Sequence, residues 1–166
     1  MLGVTYDDLV NKSMKEKFIS YKYSGKDDSI LYEYLISPLC DFLTEYLVPP
    51  SIAPNAITLI GFVCNIVATV MIVTNRMAGN APQDFHFVIF GVLTIVYSVC
   101  DNTDGKQARK TKTSSSLGML LDHGCDSLTC CLLTIGMGTL IGLDDIMLVL
   151  LLCNNSFLYF MAYLEQ

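Results

Sequence analysis

Asp101-Asn102-Thr103-Asp104-Gly105-Lys106-Gln107-Ala108-Arg109 is followed, eight residues later, by Gly118-Met119-Leu120-Leu121-Asp122-His123-Gly124-Cys125-Asp126. Four aspartates stand here in two pairs, each pair bordering an apolar run. Asp101 and Asp104 are three apart, and Gly118, Asp122 and Asp126 recur every four. Spacings of three and four place side chains on one helix face, one turn above another. Asp101, Asp104, Gly105 and Ala108 therefore share a face, and Gly118, Asp122 and Asp126 share a second. Small residues beside carboxylates let a bulky ligand approach the backbone.

Carboxylates that face one another in a poorly hydrated site stay ionised only when cations neutralise them. An all-oxygen donor set suits hard divalent ions such as Mg²⁺, Mn²⁺ or Ca²⁺, and no thiolate or imidazole pattern favours zinc. Two such ions would balance four negative charges. A two-metal site suits phosphoryl displacement, and Lys106, Arg109, Lys110 and Lys112 supply positive charge for phosphates. Polar residues capping helix ends in headgroup water are the plainer explanation, but it leaves the register of acids, glycines, alanine and arginine unexplained.

Outward from this stretch, the chain is too apolar for an ordinary soluble domain. Of 166 residues, 52% are hydrophobic and 16% charged, and mean hydropathy is +0.49. The net charge of −6 includes the acids of the site, and no basic-aromatic surface points to nucleic acid. Seven cysteines show no metal spacing and lie largely in apolar runs, where a thiol acts as a small hydrophobe.

Residues 1–28 read as a polar N-terminal arm with no cleavable signal pattern at Met1. Residues 29–48 read as an amphipathic interfacial helix. Leu31, Tyr34, Leu35, Leu39, Phe42 and Leu43 recur at helical steps, with Asp28 or Ser29 as cap, a kink at Pro38 and a stop at Pro49-Pro50. Its charges and length predict that it lies on a membrane rather than crossing it. Residues 53–166 read as a membrane domain with four spans. Ala53–Thr74 carries no charge and reaches across roughly 30 Å of hydrocarbon. Phe85–Cys100 continues into residues 101–108 as the second span. Leu117–Leu143, opened by the capping run 113–116, is the third, and Ile146–Leu164 the fourth. The predicted fold class is thus an all-α integral membrane protein, an amphipathic surface helix followed by four transmembrane helices. In that topology nine of the ten Lys and Arg residues share one side with the 105–116 loop, and only Arg76 lies opposite. The positive-inside rule then puts the aspartates on the cytosolic or matrix side. His123 is expected to pack away from Asp122 and Asp126, and His86 to meet water at the far interface.

The pattern Asp-x-x-Asp-Gly-x-x-Ala-Arg, eight residues, Gly-x-x-x-Asp-x-x-x-Asp resembles the signature of CDP-alcohol phosphotransferases. Asp101, Asp104, Gly105, Ala108, Arg109, Gly118, Asp122 and Asp126 fill every position. The fuller wording, together with Tyr21-Lys22-Tyr23-Ser24 and Pro54-Asn55-Ala56-Ile57-Thr58, is similar to the eukaryotic choline/ethanolamine phosphotransferase branch. The resemblance implies transfer of phosphocholine or phosphoethanolamine from a CDP-alcohol to a lipid hydroxyl such as diacylglycerol, releasing CMP. It implies that Asp101, Asp104, Asp122 and Asp126 hold Mg²⁺ or Mn²⁺, two ions in all, with Asp126 as the base. Gly105, Ala108, Arg109 and Gly118 would frame the cytidine diphosphate, joined by Asn55 and Lys112. Partners implied are the membrane, the CDP-alcohol, the acceptor lipid, and a homo-oligomer or larger membrane complex. The membrane would be that of the endoplasmic reticulum or Golgi, with the mitochondrial inner membrane as the alternative. Relatives of this branch have at least six core spans, often a Glu where Met119 stands and often a Pro where Ser116 stands. The second expectation is therefore a shortened relative serving as a structural, lipid-contacting subunit of a larger assembly, for example in mitochondria.

Overall fold

The structure is a computed structural model that describes residues 29–164. The polar arm 1–28, its Tyr21–Ser24 stretch and the candidate cap Asp28 lie outside the described residues.

Helix α1 is one unbroken run ending at Leu47, built from a wide π-helical turn (Tyr32–Ile36), an α-helical segment (Ser37–Phe42) and a second π-helical turn (Leu43–Leu47). Ser29 caps it, its Oγ accepting from the Tyr32 N–H at 3.3 Å. Pro38 sits in the first turn of the α-helical segment. A proline has no N–H to give and crowds the turn before it. The preceding turn widens, with the Ser37 N–H reaching back to the Tyr32 carbonyl. The chain absorbs the proline this way without interrupting the helix. Val48 turns extended and ends the run. Ile30, Leu31, Tyr34, Leu35, Leu39, Phe42, Tyr46 and Leu47 are all exposed, while Cys40 and Thr44 are buried. An apolar stripe of that size turned outward fits a helix lying in a membrane interface.

Four longer helices follow: α2 (Pro54–Met77), α3 (Asp84–Thr111), α4 (Ser116–Leu140) and α5 (Asp145–Leu164). Pro54 opens α2, where a missing N–H costs nothing. The Ser115 hydroxyl accepts from the Gly118 N–H at 3.1 Å and starts α4. Lys112 in the left-handed region (φ 56°) closes α3, and Gly142 (φ 77°) makes the turn before α5. Among the described residues there is no strand.

α2 packs on both α3 and α4, and α5 leans on α4. Ala68, Ile72, Phe90 and Leu140 form the buried centre, with Met71, Leu93 and Leu133 around it. At Gly61 the helices nearly touch, since a Cβ there would stand 2.7 Å from the Cys100 Cβ. Side-chain bonds inside the bundle fasten α5, with Asn155 Nδ2 donating to Thr134 Oγ1 at 2.7 Å and to the Cys130 carbonyl at 3.2 Å. Arg76 and Asp145 pair at 3.0 Å at the end remote from the aspartates. All seven cysteines are free.

Three helices, α2, α3 and α5, are long and apolar enough to cross a membrane. α4, read from sequence as the third of four spans, has the length but not the apolarity, because Asp122, His123 and Asp126 occupy its first half. It lies against α2, and its Asp122 and Asp126 face Asp101 of α3 rather than hydrocarbon. The protein is an all-α membrane protein. His86 departs from expectation. It is buried, and its Nδ1 accepts from the Gln83 N–H at 3.1 Å, capping α3 rather than meeting water.

Candidate active site

The carboxylates belong to two helices that lead into and out of one loop. Asp101 and Asp104 lie just past the middle of α3, and Asp122 and Asp126 in the first half of α4. The helical register places each pair on one face, and the turn at Lys112 brings the faces together. Asp101, Asp122 and Asp126 each offer an oxygen within 4.8 Å of the others, a spacing that can hold a metal ion. Asp104, outside that trio, is more deeply buried than its three partners. Its Oδ2 accepts from the Thr58 hydroxyl on α2. Asp126 Oδ1 accepts from the Tyr97 hydroxyl on α3.

The donor set fits a divalent cation. Asp101 Oδ1 and Asp122 Oδ1 are buried and have no hydrogen-bond partner. Among the described residues, no Lys or Arg forms an ion pair with the four acids. Uncompensated anions at this depth are costly, so these acids need a proton or a positive charge that the described residues do not supply.

Lys106, expected to supply charge for phosphates, is committed elsewhere. Its ammonium donates to the Ser37 carbonyl and hydroxyl, each at 2.8 Å, and to Asp41 Oδ1 at 2.6 Å. Lys110 likewise donates to the Thr44 carbonyl. Both reach backward along α3 and fasten α1 against it, because a long side chain leaving α3 at these positions meets α1. Gln107, fully buried between them, donates to the carbonyls of Pro49 at 3.0 Å and Ile52 at 3.1 Å, pinning the α1–α2 link.

The other expected residues surround the acids. The Arg109 guanidinium folds over Gly105, 3.6 Å from where a Cβ would be. With Lys106, Lys110, Ser37 and Asp41 it lines a groove of about 600 Å³ beneath α1. A Cβ on Gly118 would stand 3.3 Å from Asn55 Oδ1, so α2 and α4 approach closely at their first turns. Ala108 is half-buried on α3, and Lys112 is exposed at its end. His123 lies near enough to Asp122 to act on its charge, and its carbonyl accepts from the Tyr159 hydroxyl at 3.1 Å. Sequence reasoning missed Tyr97 altogether. It falls in an apolar run, and the only signal for it was its place four residues before Asp101.

The sequence matches the CDP-alcohol phosphatidyltransferase family over residues 51–164. It is 39% identical to choline/ethanolaminephosphotransferase 2 of Arabidopsis thaliana over 121 residues, 72% of this chain and 31% of the plant protein. It is 38% identical to cholinephosphotransferase 1 of Gallus gallus over 117 residues, 70% of this chain and 34% of the chicken protein. It is 36% identical to a CDP-diacylglycerol–serine O-phosphatidyltransferase of Encephalitozoon cuniculi over 126 residues, 76% of this chain and 31% of that one. The chain thus spans about a third of the length of these relatives.

Proposed function

Since the chain belongs to the CDP-alcohol phosphatidyltransferase family, we propose that it transfers phosphocholine or phosphoethanolamine from a CDP-alcohol to diacylglycerol or a similar lipid hydroxyl. The observation that carries this reading is the convergence of Asp101, Asp122 and Asp126 oxygens within 4.8 Å, with no cationic side chain of the described residues to neutralise them. Asp101, Asp104, Asp122 and Asp126 would hold Mg²⁺ or Mn²⁺, two ions against four negative charges. When bound, the metal supplies charge neutralisation and draws electron density from the diphosphate oxygens.

The chain's own residues do the rest. Gly105 and Ala108 leave room on α3 for the nucleotide, and Arg109 reaches its phosphates with a planar set of donors. Asn55 and Gly118 close the opposite wall, and exposed Lys112 attracts the soluble substrate. Asp126 takes the proton from the lipid hydroxyl, whose oxygen bonds to the phosphorus bearing the alcohol. The bond from that phosphorus to the bridging oxygen breaks, and CMP leaves with the electron pair. The distribution of Lys and Arg supports a site on the cytosolic face of the endoplasmic reticulum or Golgi. The matrix face of the mitochondrial inner membrane is the alternative.

A second reading is a lipid-contacting subunit of a larger assembly that does no transfer. It draws support from α5, whose span has no residue buried against the rest of the chain. One experiment separates the two. The full chain is purified in lipid nanodiscs with Mn²⁺ and offered CDP-choline or CDP-ethanolamine with diacylglycerol, or CDP-diacylglycerol with serine. CMP release in the first arms and none with serine is expected. Release with serine alone reassigns the substrates, and silence in every arm leaves only the subunit reading.

A further inference from the structure

Tyr97 is a phenol buried within a membrane-crossing helix, with 8% of its surface exposed. A buried hydroxyl at that depth must find an acceptor, because leaving it unmade costs more than the bond gains. Its acceptor is Asp126 Oδ1 on the neighbouring helix. The phenol has little freedom to withdraw. At Gly61, α2 comes so close to α3 that a Cβ would lie 3.4 Å from both the Cα and the carbonyl oxygen of Tyr97. The backbone bearing the ring is therefore held from behind by α2.

In the other two acids of the trio, one oxygen apiece lacks a partner. Asp101 Oδ1 and Asp122 Oδ1 are buried without partners, whereas Asp126 has one oxygen committed to a rigidly placed donor. A carboxylate with one oxygen engaged has its plane fixed, and its second oxygen points in one direction. Thr58 engages Asp104 in the same manner from α2. Each pair of acids thus contains one member set by a hydroxyl of another helix, and Tyr97 is the donor that ties α3 to α4.

We propose that Tyr97 is a positioning residue that acts through Asp126, orienting its second oxygen toward the metal and the incoming lipid hydroxyl. This rests on the metal reading proposed above. If Tyr97 only filled space, a phenyl ring would serve equally well.

Mn²⁺ affinity, read by electron paramagnetic resonance on the full chain in nanodiscs, tests the inference without relying on turnover. Four proteins are compared: wild type, Tyr97→Phe, Asp126→Ala and the double variant. Loss of an outer-shell partner of a metal ligand lowers affinity by about ten- to a hundredfold, and Tyr97→Phe is expected to do so. In the Asp126→Ala background the same change should have no further effect, because the carboxylate it positions is gone. A general loosening of the fold would weaken both backgrounds alike, and that result overturns the inference. So does unchanged affinity in Tyr97→Phe alone. A wild-type chain that binds no Mn²⁺ overturns the metal reading itself, and the inference with it.

Discussion

In the proposed mechanism Asp126 has two oxygens and two tasks. One oxygen is tied to Tyr97, which leaves a single oxygen for the metal and for the proton of the acceptor. Asp126→Asn keeps a carbonyl oxygen that can ligate but removes the proton acceptor. CMP release should fall by about two to four orders of magnitude, while Mn²⁺ remains partly bound in a parallel resonance measurement. Turnover equal to wild type would take Asp126 out of the base role. The acids were legible in the sequence because helical spacing alone puts Asp101 with Asp104 and Asp122 with Asp126. Their hydroxyl partners were legible only in part. Thr58 stood in a quoted motif, but its bond to Asp104 depends on how α2 is rotated against α3, which periodicity in one helix cannot state. Tyr97 had even less to mark it, since a tyrosine in an apolar span reads as packing.

Among the elements, α3 does the most varied work. Its first half packs in the bundle through Phe90, its middle carries Asp101 and Asp104, and its last turns fasten α1 through Lys106 and Lys110. Sequence read those lysines as phosphate ligands because charge beside a phosphate-binding motif invites that reading. The position of α1, which takes up both ammonium groups, could not be seen in a linear pattern. The wide turns around Pro38 were also invisible, since each π-helical segment is only five residues long and shifts the apolar spacing too briefly to stand out. Gly61 gives a test of the α2–α3 contact on which Thr58 and Tyr97 both depend. Gly61→Ala puts a methyl 2.7 Å from the Cys100 Cβ, and neither backbone can yield freely. Overpacking of this kind costs about 1–3 kcal/mol, to be measured as a lowered unfolding midpoint in detergent. Adding Cys100→Gly removes the opposing carbon and should recover part of the loss. A midpoint unmoved by Gly61→Ala would mean that the helices sit farther apart.

At the scale of the molecule, the order of helices and the capping at Ser115 followed from composition and punctuation. The count of crossings did not follow as simply, because the polar face that makes α4 part of the site also removes it from the apolar spans. Surface and site obey one rule here. Apolar side chains of α1, α2 and α5 turn outward toward lipid, and the acids of α3 and α4 turn inward toward each other. In the proposed function a cation compensates that inward convergence. The most direct measurement is anomalous X-ray scattering from crystals of the full chain grown with Mn²⁺. A peak enclosed by Asp101, Asp122 and Asp126, and lost in Asp101→Ala, is predicted. Crystals with Mn²⁺ bound only at other places, or with no manganese peak among these carboxylates, would contradict it.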